Sequence, residues 1–217
     1  MKIPREAPVM TLPNATLFPQ ALLPLYIYEP RYRQMLKDAL DSHRMFAVAM
    51  QKPGRKREAP SPVAGLGLIR VSVCHRDGTS HLVLQGIARV ELEQAVRRQP
   101  YRVHQIHSFQ APPCDSVAAD ALLAKVRELL EERVHLGLPL TYTSSSTVDH
   151  SPKKILNYLK SMADPEEAAD LVSSAVLPSG EERQAILETV DVETRLRRLI
   201  QFLLAEIQRE RKNDSHE

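Results

Sequence analysis

Four prolines divide the segment between Leu12 and Tyr32 into short apolar runs, and this spacing constrains the fold more than any other feature of the chain. They occupy positions 13, 19, 24 and 30 of the stretch LPNATLFPQALLPLYIYEPRY. Proline fixes φ and lacks an N–H, so each is expected at a strand end, a sheet edge or a turn. The segment therefore predicts short strands and turns that lead into a helix at Glu29-Pro30.

Residues 1 to 112 show the pattern of a β-rich lobe with one helix. Apolar runs and alternation predict a helix at 30 to 42 and strands at 9 to 12, 22 to 28, 45 to 50, 69 to 75, 81 to 85, 88 to 92 and 101 to 107. The strand at 22 to 28 is expected to be buried, and Val71 and Val73 to point inward. Asp77-Gly78 predicts a hairpin turn, and Gly86 predicts a bulge or a close approach of another backbone. Several short strands with one helix favour a strongly bent or closed sheet.

Residues 115 to 212 predict a helical lobe, which makes the whole chain an α+β protein. Apolar residues keep helical spacing from Leu122 to Val134, with Asp115 or Ser116 as the preceding cap. Three further helix starts are indicated by capping residues at Ser151-Pro152, at Asp164-Pro165 and in the capping-box pattern Ser179-x-x-Glu182.

The last helix opens at Asp191 and carries an apolar stripe that includes Leu196, Leu199, Leu203 and Ile207. Apolar stripes at helical spacing are usually core, so packing within the chain's own bundle is favoured. The alternative is a partner or dimer contact through this helix. The basic residues that flank the stripe, among them Arg195, Arg197 and Arg198, are expected on a solvated face.

The charges are shared unevenly between the two lobes. Residues 1 to 114 hold 16 Lys and Arg against 8 Asp and Glu, whereas residues 115 to 217 hold 13 against 19. A basic β-barrel could follow a phosphate backbone, so RNA binding is the alternative function. Against it, the chain has no tryptophan, and few of its aromatic residues are placed to stack on bases.

The composition is typical of a cytoplasmic protein that does not enter a membrane. The sequence has no apolar run of 18 residues, and no signal-peptide region follows Lys2 and Arg5. Cys74 and Cys114 lack the spacing of a metal site, so free thiols are expected.

No cofactor, metal or catalytic machinery is indicated, and the chain is expected not to be an enzyme. The motifs G-x-x-x-x-G-K-[ST], H-E-x-x-H and G-x-S-x-G are absent from the sequence. His75 and His81 flank the Asp77-Gly78 turn and are a conceivable metal site with Asp77. Zinc prefers a third and a fourth fixed ligand, so ordinary surface or cross-strand histidines are the favoured interpretation.

Several motifs resemble the N-terminal domain of Lon proteases, over roughly residues 7 to 210. They are Leu12-Pro13, Phe18-Pro19, Pro24-Leu25-Tyr26, Glu29-Pro30-Arg31-Tyr32, the strand-Gly-strand segment HLVLQGIARV at 81 to 90 and the helical stretch at 177 to 207. The resemblance implies a PUA-like β-barrel followed by a helical bundle. Because the ATPase and serine-lysine protease motifs of a full-length Lon are missing, the sequence predicts a free-standing recognition domain.

The resemblance also implies the favoured function, which is binding of unfolded or extended polypeptide, alone or together with a separate protease. A free sheet edge and shallow apolar pockets would suit such a ligand. The candidate binding residues are Leu17, Phe18, Pro19, Tyr28, Arg31 and Tyr32. Leu17-Phe18-Pro19 would form an exposed apolar lip. The structural alternatives are that Phe18 plugs the barrel end and that Arg31 and Tyr32 anchor the helix to the sheet.

Overall fold

The computed structural model describes residues 2–55, 57–113, 116–139, 157–159 and 161–214 of the 217-residue chain. The chain divides into two compact units, Met1–Gln110 and Ala111–Glu217. The first unit is rich in strands and contains one helix, whereas the regular structure of the second unit is helical. The predicted α+β arrangement is confirmed.

A closed six-stranded sheet forms the first unit. Its elements are β1 (Glu6–Leu12), β2 (Leu22–Ile27), α1 (Pro30–Leu40), β3 (Met45–Met50), β4 (Val63–Cys74), β5 (Ser80–Arg97) and β6 (Arg102–Ser108). The strand order is β2-β5-β4-β3-β1-β6, and β6 also pairs with the second half of β5. Strands β5, β4, β3, β1 and β6 therefore pair in a closed ring, which is the barrel. Strand β2 pairs with the first half of β5 and lies outside this ring as an edge strand.

Two glycines let the segment before β2 lie directly on the barrel wall. A Cβ atom at Gly65 would lie 1.8 Å from the carbonyl oxygen of Leu17, and one at Gly86 would lie 1.9 Å from that of Phe18. Only a residue without a side chain permits such an approach of two backbones. The pairing between β4 and β5 also skips Ile87, which confirms the predicted bulge next to Gly86.

Strand β3 lies between two apolar clusters, and all six of its residues are buried. Phe46 and Val48 join the cluster that contains Met35, Leu36 and Ala39 of α1. Met45, Ala47 and Ala49 join a second cluster with residues of β1, β4 and β5. A strand buried on both faces is continuously apolar, which explains why its sequence is MFAVAM.

Two expectations about exposure are wrong. Leu22 and Tyr26 of β2 are about half exposed, because alternate side chains of a strand point to opposite faces and these two lie on the outward face of β2. Val71 and Val73 are also exposed, because the register of β4 shifts between Ile69 and Val71. The extra residue reverses the alternation, so Ile69 is buried and Val71, two residues later, points outward.

The helices of the second unit whose bounds lie within the described residues are α2 (Ser116–His135), α3 (Pro165–Val176), α4 (Gly180–Leu187) and α5 (Val192–Asp214). Three caps are confirmed, since Asp164, Ser179 and Asp191 accept hydrogen bonds from the backbone N–H groups of Glu166, Glu182 and Thr194. The predicted caps at Asp115 and Ser151-Pro152 lie outside the described residues, as does Cys114. In the described part of the chain, no helix combines the length and the apolarity needed to cross a bilayer.

Helix α5 packs on α2, α3 and α4. Its stripe residues Leu196, Leu199 and Leu203 are completely buried, and Ile207 almost so. The favoured expectation of packing within the chain's own bundle is confirmed. Burial against the helices of the same unit leaves these four side chains unavailable as a dimer surface.

The expectation of a solvated basic face is wrong for Arg195, whose side chain is 0% exposed. Its Nη1 donates to Asp170 of α3 at 3.0 Å, and its Nε donates to the carbonyl oxygen of Thr189 at 2.9 Å. Arg197, two residues later, is 61% exposed and pairs with Glu193 one helical turn away. Removal of Arg195 is therefore expected to lower the free energy of unfolding much more than removal of Arg197.

We predict that Arg195→Ala lowers the free energy of unfolding of the helical unit by about 3 kcal/mol, because Asp170 loses its buried counter-ion. The matched control, Arg197→Ala, should change it by at most about 0.5 kcal/mol, since exposed pairs contribute little. Urea unfolding followed by circular dichroism at 222 nm measures both values. Equal unfolding midpoints for the two variants would contradict the prediction.

Candidate functional site

An apolar face covers the outside of β2, the first half of β5 and the second half of β4. We define the apolar face by the residues that adjoin one another across these three strands: Leu22, Pro24, Tyr26, Val71, Val73 and Val83. In the register of the sheet, Pro24 lies beside Val83, and Val83 beside Val71. Leu22, Tyr26, Val71 and Val73 are between 46% and 52% exposed. Contiguous apolar side chains at this exposure are typical of interaction sites.

Aromatic rings extend the apolar face toward the β4–β5 turn. The ring of Tyr26 stacks on Tyr28 with centroids 5.9 Å apart and contacts His81 at 4.7 Å. His81 in turn meets His75, and their Nδ1 and Nε2 atoms are 2.7 Å apart. Rings of this kind give large contact areas with a polar tip, which suits binding of varied side chains.

The proposed metal ligands at this turn are engaged in other contacts. His75 and His81 face each other across the hairpin, as expected for a cross-strand pair. Asp77 accepts hydrogen bonds from the backbone N–H and the hydroxyl of Thr79, and Gly78 has a φ of +80°. Asp77 therefore stabilises the turn itself. Within the described residues, no group of three His, Cys, Asp or Glu is arranged to hold a metal ion.

Strand β2 offers an edge next to the apolar face. It pairs only with β5 in the described part of the chain. Gly86 of the β5 strand donates its N–H to Ala21, and in an antiparallel ladder the direction of the backbone groups alternates. The backbone groups of Pro24 and Tyr26 therefore point toward the outer edge, where Pro24 has no N–H to offer.

The structure places three of the predicted binding residues at the segment before β2. Leu17 is 1% exposed and Phe18 is 0% exposed, so the expected apolar lip is wrong for both. The reason is the approach of their backbone to Gly65 and Gly86, which seats both side chains in the unit's interior. Pro19 is partly exposed. The burial of Phe18 agrees with the alternative, in which this side chain plugs the barrel end.

The other three predicted residues lie around the start of α1. Tyr28 is 61% exposed and, through Tyr26, borders the apolar face. Tyr32 is buried, and its hydroxyl makes two hydrogen bonds of 3.3 Å with the backbone of Thr11 in β1. Arg31 lies with its guanidinium 4.4 Å from the ring of Tyr32 and pairs with Glu29 and Glu58. Arg31 and Tyr32 thus anchor the helix, as the structural alternative holds.

Sequence reasoning missed Leu22, Tyr26, Val71 and Val73 as surface residues. One signal was present for β2, because Pro24 in the middle of a strand marks an edge. No signal in the sequence indicates the register shift that turns Val71 and Val73 outward.

Glu58 holds the loop between β3 and β4 against the barrel. Its carboxylate pairs with Arg31 and accepts from Nε of Arg102 at 3.1 Å. Partial burial raises the pKa of Glu58, but the hydrogen bond and charge of Arg31 outweigh burial, and the net pKa lies below the usual value of 4.5. The folded state therefore favours the ionised carboxylate.

We predict a loss of stability of the β unit in acid that depends on Glu58. A depressed carboxyl pKa contributes stability above the unfolded-state pKa, and this contribution is lost as the pH falls through the folded-state value. The midpoint of thermal unfolding should therefore fall less steeply between about pH 5 and pH 3 in Glu58→Gln than in the unchanged protein. The control, Glu91→Gln, removes an exposed carboxylate that forms no ion pair with the described residues, and it should follow the unchanged protein. Parallel curves for all three proteins would contradict the prediction.

The chain thus consists of a small closed barrel with an exposed apolar face, followed in sequence by a helical unit. The family model described as the ATP-dependent protease La (LON) substrate-binding domain matches residues 6–205. The chain belongs to this family of Lon substrate-binding domains.

Curated relatives are similar at low identity. The chain is 25% identical over 207 residues to the Lon protease of Desulfosudis oleivorans, covering 93% of this chain and 24% of that protein. It is 27% identical over 210 residues to Lon protease 2 of Myxococcus xanthus, covering 93% and 24%. The chain therefore spans about a quarter of the length of these relatives.

Solved structures share the fold. The N-terminal domain of a Mycobacterium avium complex Lon protease aligns with a TM-score of 0.71 at 18% identity, covering 91% of this chain and 97% of that one. A Lon N-terminal domain protein from Xanthomonas campestris aligns with a TM-score of 0.60 at 18% identity, covering 91% and 98%.

Proposed function

We propose that this chain binds unfolded or extended polypeptide, without catalysis of its own, on the apolar face next to strand β2. The observation that carries the proposal is the grouping of Leu22, Tyr26, Val71 and Val73, all about half exposed, on one side of three paired strands. The family's description as a substrate-binding domain of a protease supports a polypeptide ligand.

The apolar face would supply most of the affinity. Each half-exposed valine or tyrosine still presents apolar area to water, and a ligand side chain that covers this area gains roughly 25 cal/mol per Å². Folded proteins bury their apolar side chains, whereas unfolded chains expose them. The apolar face would therefore bind unfolded chains in preference to folded proteins, through the same hydrophobic effect that drives folding.

The edge of β2 would fix the direction and the register in which an extended polypeptide binds. An extended chain laid beside β2 can exchange backbone hydrogen bonds with the outward groups of Tyr26. Backbone pairing does not depend on the sequence of the ligand, so this mode suits a domain that must accept many polypeptides. The ring surface of Tyr26, Tyr28 and His81 would receive side chains at one end of the bound segment.

The alternative, RNA binding by the basic lobe, is less well supported because many of the arginines are engaged. Arg31 and Arg102 pair with Glu58, Arg70 donates to the side chain of Gln85, and Arg97 lies 4.2 Å from the ring centroid of Tyr101. Arg89 is 5% exposed. A phosphate backbone needs a row of accessible cations, and these five do not provide one.

We predict that the double variant Tyr26→Ser/Val73→Ser binds an unfolded polypeptide about tenfold more weakly than the unchanged protein, since two apolar contacts are lost. Fluorescence anisotropy with labelled, reduced and carboxymethylated lactalbumin, in the absence of ATP, measures the dissociation constants. Thermal unfolding should be nearly unchanged, because both side chains are exposed.

The control for this experiment is Val96→Ser, which removes a 43% exposed valine from the other half of β5. It should bind the lactalbumin as the unchanged protein does. Equal loss in the double variant and the control, or no binding by any of them, would contradict the proposed site. Tight RNA binding that weakens steeply with salt would favour the alternative function instead.

A further inference from the structure

A second site candidate lies on the other side of the β4–β5 hairpin from the apolar face. It is a cleft of about 520 Å³ between α1 and the hairpin, within the range typical of small-ligand sites. Its lining includes Arg33, Leu36 and Lys37 of α1 and Ser72, Cys74 and Ser80 of the two strands. The register shift that turns Val71 and Val73 outward is what brings Ser72 and Cys74 to this side.

Arg33 crosses this cleft from the helix to the turn. A Cβ atom at Gly78 would lie 1.8 Å from Nη2 of Arg33, so the guanidinium rests directly on the glycine of the turn. Gly78 is favoured at this position by its φ of +80°, which residues with a side chain rarely adopt. This contact places the guanidinium at the β4–β5 turn, where its several N–H donors can pair with an anion.

Four polar groups of the cleft have no partner within the described residues. The side chains of Arg33 and Lys37 form no ion pair and no hydrogen bond there, and the hydroxyls of Ser72 and Ser80 form no hydrogen bond. Ser80 is 6% exposed as a residue, and its hydroxyl oxygen is not among the buried side-chain atoms that lack a hydrogen-bond partner, so it stays accessible at the cleft. A ligand oxygen that enters the cleft would meet donors on all four of these side chains.

The remaining lining residues indicate the charge and shape of that ligand. Asp41 also lines the cleft, so Arg33, Lys37 and Asp41 together give it a net charge near +1. This balance suits a singly charged carboxylate better than a phosphate. Leu36, Leu40 and Pro30 add an apolar wall, which suits an aliphatic group attached to the carboxylate.

We propose that this cleft binds the C-terminal residue of a polypeptide, with its free carboxylate on Arg33 and Lys37 and an apolar side chain against Leu36 and Leu40. Ser72 and Ser80 donate to the same carboxylate. The chain would then recognise polypeptides by a chain end as well as by exposed apolar segments. The ligand class is shared with the proposed function, but the surface is a different one, so either can fail without the other.

The test is a two-dimensional ¹⁵N–¹H NMR titration of the full chain with the peptide acetyl-Ala-Ala-Leu-Leu, compared with the same peptide carrying a C-terminal amide. The acid peptide should shift the amide signals of residues 72 to 80, and the amide form should bind at least about tenfold more weakly. The acid peptide should also slow alkylation of Cys74 by iodoacetamide, read by mass spectrometry, because the exposed thiol lines the cleft.

Two variants and two controls test whether the acid peptide binds in this cleft. Arg33→Gln and Lys37→Gln should each lower the affinity for the acid peptide about tenfold, because each removes a charge-assisted hydrogen bond. Lys52→Gln removes an exposed cation outside the cleft and should leave the dissociation constant unchanged. Tyr26→Ser/Val73→Ser should also keep the affinity for the acid peptide, while Arg33→Gln should keep the affinity for carboxymethylated lactalbumin at the apolar face.

Three results would overturn the proposal. The first is equal binding of the acid and amide peptides. The second is equal binding of an amidated peptide in which an internal glutamate supplies the carboxylate, which would make the site one for acidic side chains. The third is displacement of the acid peptide by inorganic phosphate at a similar concentration, which would make it a phosphate site.

Discussion

The β unit depends on the pairing of one long strand with three others. Strand β5 pairs with β2 and β4 through its first half and with β4 and β6 through its second half, so the barrel closes only if β5 bends. The bulge that skips Ile87 next to Gly86 provides the bend, and the missing side chains of Gly65 and Gly86 let Leu17 and Phe18 pack against the wall. The edge strand β2 and both candidate sites are positioned by this strand.

Much of this architecture could be predicted from residue types with a single structural use. Prolines 19, 24 and 30 locate a turn, an edge strand and a helix start, and Asp164, Ser179 and Asp191 cap three helices as their patterns indicate. Exposure could not be predicted to the same extent. The bulge after Ile69 has no marker in the sequence, so the alternation rule assigns Val71 and Val73 to the wrong side.

In the helical unit, the sequence pattern also does not indicate which charged residues are buried. Arg195, Arg197 and Arg198 look equivalent in the sequence, yet only Arg195 is enclosed, because Asp170 and the carbonyl groups of Thr189 and Val190 converge on it. Arg133 is similarly enclosed by Glu206 and by the carbonyl oxygen of Val176. Burial of an arginine depends on partners that are far away in the chain, and periodicity carries no information about them.

Pro24 has a consequence for how copies of this protein behave at high concentration. An exposed edge strand is a template for endless growth, since each added strand presents a new edge to the next molecule. A proline in the middle of β2 interrupts the row of donors, so the edge can hold a short segment but cannot propagate a continuous ladder. Pro24 thereby protects the protein against edge-to-edge growth into fibres.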